Sequence, residues 1–440
     1  MTDLALMDGE KAVDGSYELP KWPRVGDEEI EAVTEALEAS RDDVSYLTSY
    51  DGGPATEGFE EAFAATMDTE YAIATNGGGA ALHIAVMAAG VQAGDEVIVS
   101  GYTWGQTASC ILQQNAVPVY ADIDPETYTL DPTSIEERIT SRTEAIVVVH
   151  LYGHPADMDP IVEIADEHDL TVIEDCAQAT GATYQGRRVG SIGDIGCFSI
   201  GDGKQIVGGE GGVLLTDDAE LYERACFFGL HPARSGDLVE DEDLTRYIDS
   251  LIYTYRIHPL AAVIAGVQLD SLDEWNAERR SNCEYLSAGL EAIPGIDPPT
   301  VRDDCEHGYH GYSPTFRPEE VPGVPRHTFV EALAAEGVPI SAGYVGTPIY
   351  LRPVHQDRAY YFGHGLPWSG RFVDREVSYD EGDCPVTERR CAEHELHLGI
   401  GPNAIGDQTA LFDQYLAAFR KVVEHRDDLV DDAEDATATP

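Results

Sequence analysis

Lysine is nearly absent from this chain of 440 residues. It occurs four times, at Lys11, Lys21, Lys204 and Lys421, so a single lysine lies between the N-terminal segment and the last predicted helix. A sequence that uses so little lysine, yet places one in the glycine-rich turn GDGKQIVGGEGG, indicates a need for an amine there. Arginine supplies positive charge equally well but cannot be deprotonated to a nucleophile. Lys204 is therefore the first candidate for a catalytic residue.

Positive charge of any kind is scarce. The chain has 27 lysine and arginine residues against 81 aspartate and glutamate residues, which gives a formal net charge of −54. Because no basic patch stands out, we expect no binding to nucleic acid. The acidic residues are spread along the chain, and this indicates a halophilic protein whose surface is adapted to high salt rather than one acidic binding arm.

Long apolar runs and paired cysteines are missing as well. No stretch approaches the roughly 20 apolar residues of a membrane span. The N-terminus is acidic, unlike a signal sequence. The eight cysteines show no CxxC spacing, which favours buried free thiols over disulfides or metal ligands. We therefore expect a cytoplasmic protein without a membrane segment or a metal site.

What the chain does contain is an alternation of short apolar strands and helices. YAIATN (71–76) is typical of a buried strand, GGAALHIAVMAAG (78–90) of a helix and DEVIVSG (95–101) of the next strand. Apolar strands separated by helices predict an α/β fold with a parallel or mostly parallel sheet covered on both faces. Such sheets bind ligands beyond the carboxyl ends of their strands. The turns after residues 76, 101, 151 and 175 should therefore meet.

Changes in composition divide the chain into four parts. Residues 1–25 are polar and predict a loosely held arm, and 26–285 should form the large domain. Within that domain we expect an amphipathic helix at 27–38, an outward loop at 229–256 and one long helix at 261–282. Prolines and glycines multiply from about residue 290, which indicates a smaller α+β domain at 286–425. The acidic tail 426–440 should be disordered.

Asp175 is the natural partner of Lys204. It follows the apolar residues Val172 and Ile173 and should stand at a strand end. A lysine whose pKa is lowered by its surroundings can form a Schiff base with a carbonyl compound. If that compound is pyridoxal phosphate, a carboxylate at a strand end keeps its ring nitrogen protonated. The alternative is that Asp175 caps a helix and Lys204 is an ordinary surface residue.

Three further features fit a phosphorylated, planar ligand. Asn76 and the glycines at 77–79 lie between a strand and a helix, where free N–H groups and the helix dipole favour an anion. Ser199 adds a hydroxyl, and Trp104 offers a face for stacking. Each has an ordinary alternative, because glycines are common in such turns for steric reasons and tryptophan is often only packed.

Six motifs occur in the order NGGGAALHIA, GDEVIVSGYTW, VHLYGHPADMDPI, IEDCAQATGA, GDIGCFSIGDGK and GEGGVLLTDD. Together they resemble the DegT/DnrJ/EryC1/StrS family of pyridoxal-phosphate-dependent sugar aminotransferases, over about residues 22 to 423. Two C-terminal segments, ISAGYVGTPIYLRP and CPVTERRCAEHELHLG, are similar to the branch with inosose aminotransferases and aminohydroxybenzoate synthases.

The resemblance implies a fold-type-I aminotransferase that works as a homodimer with shared active sites. It implies pyridoxal 5'-phosphate as cofactor, glutamate or glutamine as amino donor, and a nucleotide-linked keto sugar or a keto-cyclitol as acceptor. It also assigns roles: Lys204 as Schiff-base lysine and proton shuttle, Asp175 as partner of the ring nitrogen, Trp104 as stacking residue, Gln178 near the cofactor face, and Gly78, Gly79 and Ser199 around the phosphate. The open alternatives are elimination or aromatisation of an amino-cyclitol-like substrate, and a non-catalytic regulator that binds the cofactor.

The chain departs from the family pattern in two places. It has Gly77-Gly78-Gly79 where the family usually has Ser-Gly-Thr, so two hydroxyls are missing and the phosphate must rely more on backbone donors. It has Thr254 where the family commonly has an asparagine that reaches the neighbouring subunit's phosphate. The lysine itself is retained, whereas dehydratases of the family replace it with histidine.

Overall fold

A computed structural model describes residues 4–48, 50–250, 253–363, 365–370, 372, 373 and 375–430. The greater part of the predicted acidic tail, 431–440, lies outside these residues, whereas Leu429 near its start is buried. Among the described residues, none of the helices combines the length and hydrophobicity that a membrane crossing requires.

The helices and strands of the described residues follow the predicted alternation. The strands are β1 Tyr71–Thr75, β2 Glu96–Ser100, β3 Val117–Ala121, β4 Thr143–Val149, β5 Thr171–Asp175, β6 Thr183–Tyr184, β7 Arg187–Arg188, β8 Ile195–Ser199, β9 Gly212–Thr216, β10 Ile296–Asp297, β11 Cys305–Glu306, β12 Thr315–Phe316, β13 Ile340–Ser341 and β14 His397–Leu398. The α-helices are α1 Asp27–Ala39, α2 Pro54–Thr66, α3 Gly78–Ala88, α4 Gly105–Gln113, α5 Pro132–Arg138, α6 Met158–His168, α7 Ala219–Gly229, α8 Pro232–Leu238, α9 Glu242–Thr245, α10 Pro259–Leu269, α11 Leu272–Leu290, α12 Arg326–Ala335, α13 Pro353–Gln356, α14 Pro385–Arg389 and α15 Thr409–Glu424.

Seven strands form the main sheet, in the order β1-β9-β8-β5-β4-β2-β3. The pairs between β3, β2, β4, β5 and β8 are parallel, and only β9 runs antiparallel to its neighbours β8 and β1. The predicted mostly parallel sheet is therefore confirmed. Because only β9 is reversed, the carboxyl ends of the other six strands lie at one edge.

Helices cover both faces of this sheet. Consecutive strand residues point to opposite faces, so Val97 and Val99 pack into the core cluster that contains residues of α3 and α4, whereas Ile98 packs with residues of α6. Burial of each such side chain stabilises the fold by about 1.5–3 kcal/mol. This two-sided burial explains why the central residues of these strands are apolar on both faces.

A second core lies in the C-terminal part of the chain. Leu286 of α11, Phe329 of α12 and Phe419 of α15 belong to it. By contrast, several described residues between 349 and 384 pack in the main core, where Tyr350 and Trp368 are buried with the side chains of β2. The chain therefore crosses between its two cores more than once.

Two segments differ from the sequence prediction in secondary structure. The long helix expected at 261–282 is two helices, α10 and α11, which break at Asp270 and Ser271; these residues favour local hydrogen bonds over helix interiors. The predicted loop 229–256 contains α8 and α9. Their starts are capped by the side chains of His231 and Asp241, which accept backbone hydrogen bonds.

The N-terminal segment is not loosely held. Leu4 is fully buried in the second core, and the backbone amides of Ala5 and Ala12 donate hydrogen bonds of 2.8 and 2.9 Å to the buried carboxylate of Glu336. The prediction of a loose arm rested on the polar composition of the segment, although Leu4 and Met7 are three residues apart and both pack in the second core.

Candidate active site

The carboxyl ends of the strands surround a cavity of about 380 Å³. It lies where the turns after β1, β2, β4 and β5 meet, as the sheet predicts. Seven of the eight site residues predicted from the sequence line it, namely Gly78, Gly79, Trp104, Asp175, Gln178, Ser199 and Lys204. Thr254 is not among its lining residues.

Asp175 ends β5 and is 5% exposed. Its carboxylate accepts hydrogen bonds from Thr107 Oγ1 at 2.8 Å and from the backbone N–H of Ala177 at 3.1 Å. Burial raises the pKa of the Asp175 carboxyl, whereas these hydrogen bonds and the charge of Lys204 oppose the rise. No helix begins in the turn that follows, so Asp175 is not a helix cap. The carboxylate is instead held ready for a cationic partner.

Lys204 lies in the loop between β8 and β9 and is half-buried in the cavity wall. Burial lowers the pKa of its amine, and the charge of Asp175 partly opposes this shift. A lowered pKa increases the fraction of neutral amine, the form that attacks a carbonyl carbon or accepts a proton. The alternative of an ordinary surface lysine therefore does not describe this residue.

The N-terminal segment holds the Lys204 loop in place. The indole Nε1–H of Trp22 donates a hydrogen bond of 2.8 Å to the backbone oxygen of Lys204. The Trp22 ring packs edge-on against Trp275, with centroids 5.4 Å apart, and the guanidinium carbon of Arg279 lies 5.5 Å from the Trp22 centroid. The Arg279 side chain is fully buried and also donates to the backbone oxygen of Gln205.

Behind Asp175, Glu174 fixes the end of β5 from the opposite face of the sheet. Its buried carboxylate accepts hydrogen bonds from the backbone N–H groups of Gly190, Ile192 and Gly193 and from His150 Nε2 at 2.8 Å. Glu174, His150 and Cys176 have ligand atoms within 4.8 Å of one another. The other ring nitrogen of His150 already accepts from the Ala156 N–H, and burial raises the pKa of the Cys176 thiol. These partners favour a structural role over metal binding.

Gly78 and Gly79 form a narrow cradle at the start of α3. No side chain caps this helix, and the first N–H groups of a helix lack acceptors within it. A Cβ atom on Gly78 would lie 2.9 Å from Ser199 Cβ, and one on Gly79 would lie 2.9 Å from Gln106 Nε2. The absence of side chains thus leaves backbone donors open to the cavity, at the positive end of the helix dipole.

Trp104 and Gln178 flank the Asp175 carboxylate. Trp104 is 54% exposed, and its ring centroid lies 6.2 Å from that of Tyr344 with an interplanar angle of 34°. So exposed an indole is available for stacking and does not serve the core. The Gln178 side-chain oxygen accepts a hydrogen bond of 2.7 Å from the backbone N–H of Tyr152, which fixes its orientation.

Thr254 lies outside the cavity, next to an adjoining chamber of about 430 Å³ that Tyr255 lines. Its φ of 51° is in the left-handed region, which is unusual for a β-branched residue. The backbone oxygen of Tyr255 accepts a hydrogen bond of 2.8 Å from the Asn76 N–H. The segment is therefore held beside the glycine cradle, although Thr254 does not reach the cavity of its own chain.

The sequence interpretation missed several lining residues. Thr107 follows Trp104 by one helical turn, a spacing that offers a way to find it. His310 and Tyr344 come from the C-terminal half and belong to no motif that marks them. Burial lowers the pKa of His310 well below its ordinary value, and its Nδ1 is enclosed without a hydrogen-bond partner among the described residues.

Comparisons with known proteins identify the family of the chain. Residues 23–381 match the model of the DegT/DnrJ/EryC1/StrS aminotransferase family. The chain is 36% identical to the L-glutamine:2-deoxy-scyllo-inosose aminotransferase of Streptoalloteichus tenebrarius, over 93% of this chain and 95% of the relative. It is 34% identical to the spore coat polysaccharide biosynthesis protein SpsC of Bacillus subtilis, over 92% and 97% of the two chains.

Solved structures agree as well. The aminotransferase from Psychrobacter cryohalolentis aligns with a TM-score of 0.78 at 29% identity, over 93% of this chain and all of that one (100%). The 3-amino-5-hydroxybenzoic acid synthase aligns with a TM-score of 0.74 at 27% identity, over 93% and 98%. The fold is that of the fold-type-I aminotransferases, as predicted. With its sequence matched over most of its length and its lysine and aspartate together at the strand ends, the chain belongs to the DegT/DnrJ/EryC1/StrS aminotransferase family.

Proposed function

We propose that this aminotransferase uses pyridoxal 5'-phosphate to move an amino group from glutamine or glutamate to a keto group on a cyclitol or sugar ring. The observation that carries the proposal is the position of Lys204 and Asp175 in one cavity, between the exposed indole of Trp104 and the glycine cradle. Relatives named for glutamine and inososes support the donor and the acceptor class.

The residues present fit the cofactor. The cradle at Gly78 and Gly79, which any Cβ would fill, suits a phosphate group, and Asp175 suits a protonated ring nitrogen. When bound, pyridoxal phosphate supplies a carbonyl group that accepts nitrogen from the donor and returns it to the acceptor.

Lys204 acts as the acid and base of the cavity. Since burial lowers the pKa of its amine, Nζ exchanges a proton more readily near neutral pH than an exposed lysine does. The Trp22 hydrogen bond to its backbone oxygen and the Asp175 charge hold the amine at one side of the cavity. A base held in place contributes about 10²–10⁴-fold to the rate of a proton transfer.

The cavity wall favours an uncharged polyhydroxy ring as acceptor. Among the described lining residues Lys204 is the sole basic one, and Asp202 and Glu210 are acidic. Three arginines are candidates for contact with a pyrophosphate. Arg234 and Arg317 are paired with Glu60 and Asp297, and Arg256 is not among the residues that line the cavity. We therefore rank a keto-cyclitol above a nucleotide-linked keto sugar.

We further infer a homodimer that shares its active sites. Ile30 and Leu37 of α1 are 58% and 44% exposed, although their spacing is that of an apolar helix face. Contact with a second copy would cover this face and bring Thr254 to the neighbouring cradle. Eight free cysteines, seven of them buried, suit a reducing cytoplasm, and the charge of −54 suits a halophilic host.

Lys204→Ala tests the function. Purified wild-type chain mixed with pyridoxal phosphate should gain a visible absorbance band that borohydride fixes on residue 204, as located by peptide mass spectrometry. Glutamine should bleach the band, and ¹⁵N from its α-amino group should appear on 2-deoxy-scyllo-inosose. Lys204→Ala should abolish transfer, whereas Lys11→Ala, an exposed lysine, should retain it. Full transfer by Lys204→Ala would refute the proposal, and a product without ¹⁵N would favour elimination.

A further inference from the structure

Gln106 occupies the space that a side chain at position 79 would need. It lies in the first turn of α4, and its Nε2 would be 2.9 Å from a Cβ atom on Gly79 in the first turn of α3. Real Cβ atoms are essentially never this close to another heavy atom. A side chain at position 79 would therefore require the flexible end of Gln106 to move away from its present place.

The Gln106 amide is also free to bind a ligand. The side chain is exposed, lines both the cavity and the adjoining chamber, and makes no hydrogen bond to any described residue. Ser109 and Gln113 on the same helix line the adjoining chamber, which the cradle glycines also line, but not the cavity that contains Lys204 and Asp175. Gln106 is thus the side-chain amide of α4 that lines both spaces, and it would touch a Cβ atom on Gly79.

An anion in this cradle needs donors. Among the residues that the structure describes, Lys204 is the one lysine or arginine that lines the cavity. The carboxylate of Glu210 also lines it and adds negative charge near Gly201, where a Cβ atom would lie 3.5 Å from Glu210 Oε2. Neutral N–H and O–H groups must therefore provide the contacts, and positions 77 and 79 offer no hydroxyl.

We propose that the side-chain amide of Gln106 binds the phosphate group of the cofactor, in place of the hydroxyl side chain that is missing at Gly79. This inference rests on the proposed function, since it assumes that pyridoxal phosphate is the ligand. It makes Gln106 and Gly79 a matched pair, in which a long amide on one helix replaces a short hydroxyl on its neighbour.

The experiment compares two ligands that differ only in the phosphate. Kd values for pyridoxal phosphate and for pyridoxal are measured by absorbance titration of the full-length apoprotein. Gln106→Ala should weaken pyridoxal phosphate binding by about 10-fold to 100-fold, as expected for a hydrogen bond to a charged group, and leave pyridoxal binding unchanged. Gln92→Ala, at an exposed glutamine that lines neither the cavity nor the adjoining chamber, is the control and should change neither value.

A second variant tests the pairing. In Gly79→Thr/Gln106→Ala the threonine hydroxyl enters the space that the amide vacates, and phosphate-dependent affinity should return toward wild type. A Kd of Gln106→Ala for pyridoxal phosphate equal to that of the wild type would overturn the inference. Equal losses of affinity for pyridoxal phosphate and pyridoxal would do the same, and so would a double variant that binds pyridoxal phosphate no more tightly than Gln106→Ala. If the wild-type protein binds pyridoxal phosphate but transfers no nitrogen, the proposed function fails while this comparison still stands.

Discussion

Thr107 offers a way to change the charge state of Asp175 without touching Asp175 or Lys204. Its hydroxyl donates a 2.8 Å hydrogen bond to the Asp175 carboxylate and lies 3.0 Å from the hydroxyl of Thr103. Valine has nearly the same shape as threonine but lacks the hydroxyl. Thr107→Val therefore removes one contact of the carboxylate and leaves the packing of α4 in place.

The size of the effect follows from that contact. A hydrogen bond to a charged group contributes about 1.5–3 kcal/mol, and about 1.4 kcal/mol corresponds to one pKa unit. The bond stabilises the ionised form of Asp175, whose pKa burial already raises. Its loss should raise the pKa of Asp175 by a further one to two units, roughly. The ionised form, which pairs with a protonated ring nitrogen, is lost as the pH falls through this pKa.

The assay is the pH dependence of pyridoxal phosphate affinity, measured between pH 5 and 8.5. The acid-side decline in affinity should begin at a higher pH in Thr107→Val than in the wild type. Thr107→Ser keeps the hydroxyl and should follow the wild-type curve. Superimposable curves for wild type and Thr107→Val would refute the reasoning, and so would an equal shift in Thr107→Ser.

Two further predictions concern stability. Arg234→Met should destabilise the fold by about 3–5 kcal/mol, because it leaves the buried carboxylate of Glu60 without its partner. Burial raises the pKa of Glu60, so the loss of unfolding free energy, measured in urea, should be smaller at pH 5 than at pH 8. A loss below about 1 kcal/mol would contradict this prediction. So would a double variant Glu60→Gln/Arg234→Met that is no more stable than Arg234→Met. Raising KCl from 0.1 to 1 M shortens the Debye length from about 10 to 3 Å and so screens the repulsion within a chain of charge −54. The unfolding temperature should therefore rise, and it should rise more than in sucrose of equal osmolality. An unfolding temperature that falls or stays constant would argue against adaptation to salt.

The main sheet was predictable because its physics is local and repetitive. Strands such as β2, buried at every residue, have an apolar centre (Val97, Ile98 and Val99), and helices must alternate with them if the strands run parallel. What the sequence hid were interruptions of one or two residues, such as Asp270 and Ser271 between α10 and α11. Helical periodicity continues across them, so only local hydrogen-bonding preferences mark the break.

The cavity residues that lie at or near strand ends could be predicted from the sequence, and the others could not. Asp175 ends β5 and Lys204 lies in the loop after β8, and these two strands are parallel neighbours in the sheet, which brings the residues together. His310 and Tyr344 reach the cavity from the C-terminal half, through packing between two cores that no motif describes. Gln106 was hidden differently, because the missing hydroxyl at Gly79 was visible in the sequence but its neighbour in space was not.

The scarcity of lysine drew attention to Lys204, but Lys421 shows that a lysine of this chain can also have a structural task. Lys421 also has a defined task, since its Nζ lies 2.8 Å from Glu336, the carboxylate that holds the backbone of Ala5 and Ala12. The same N-terminal segment supplies Trp22, which donates to the backbone of Lys204. Lys204 and Lys421 are thus both retained where the N-terminal segment meets the rest of the fold. The segment that the sequence described as a loose arm therefore contacts both the second core and the loop that carries Lys204.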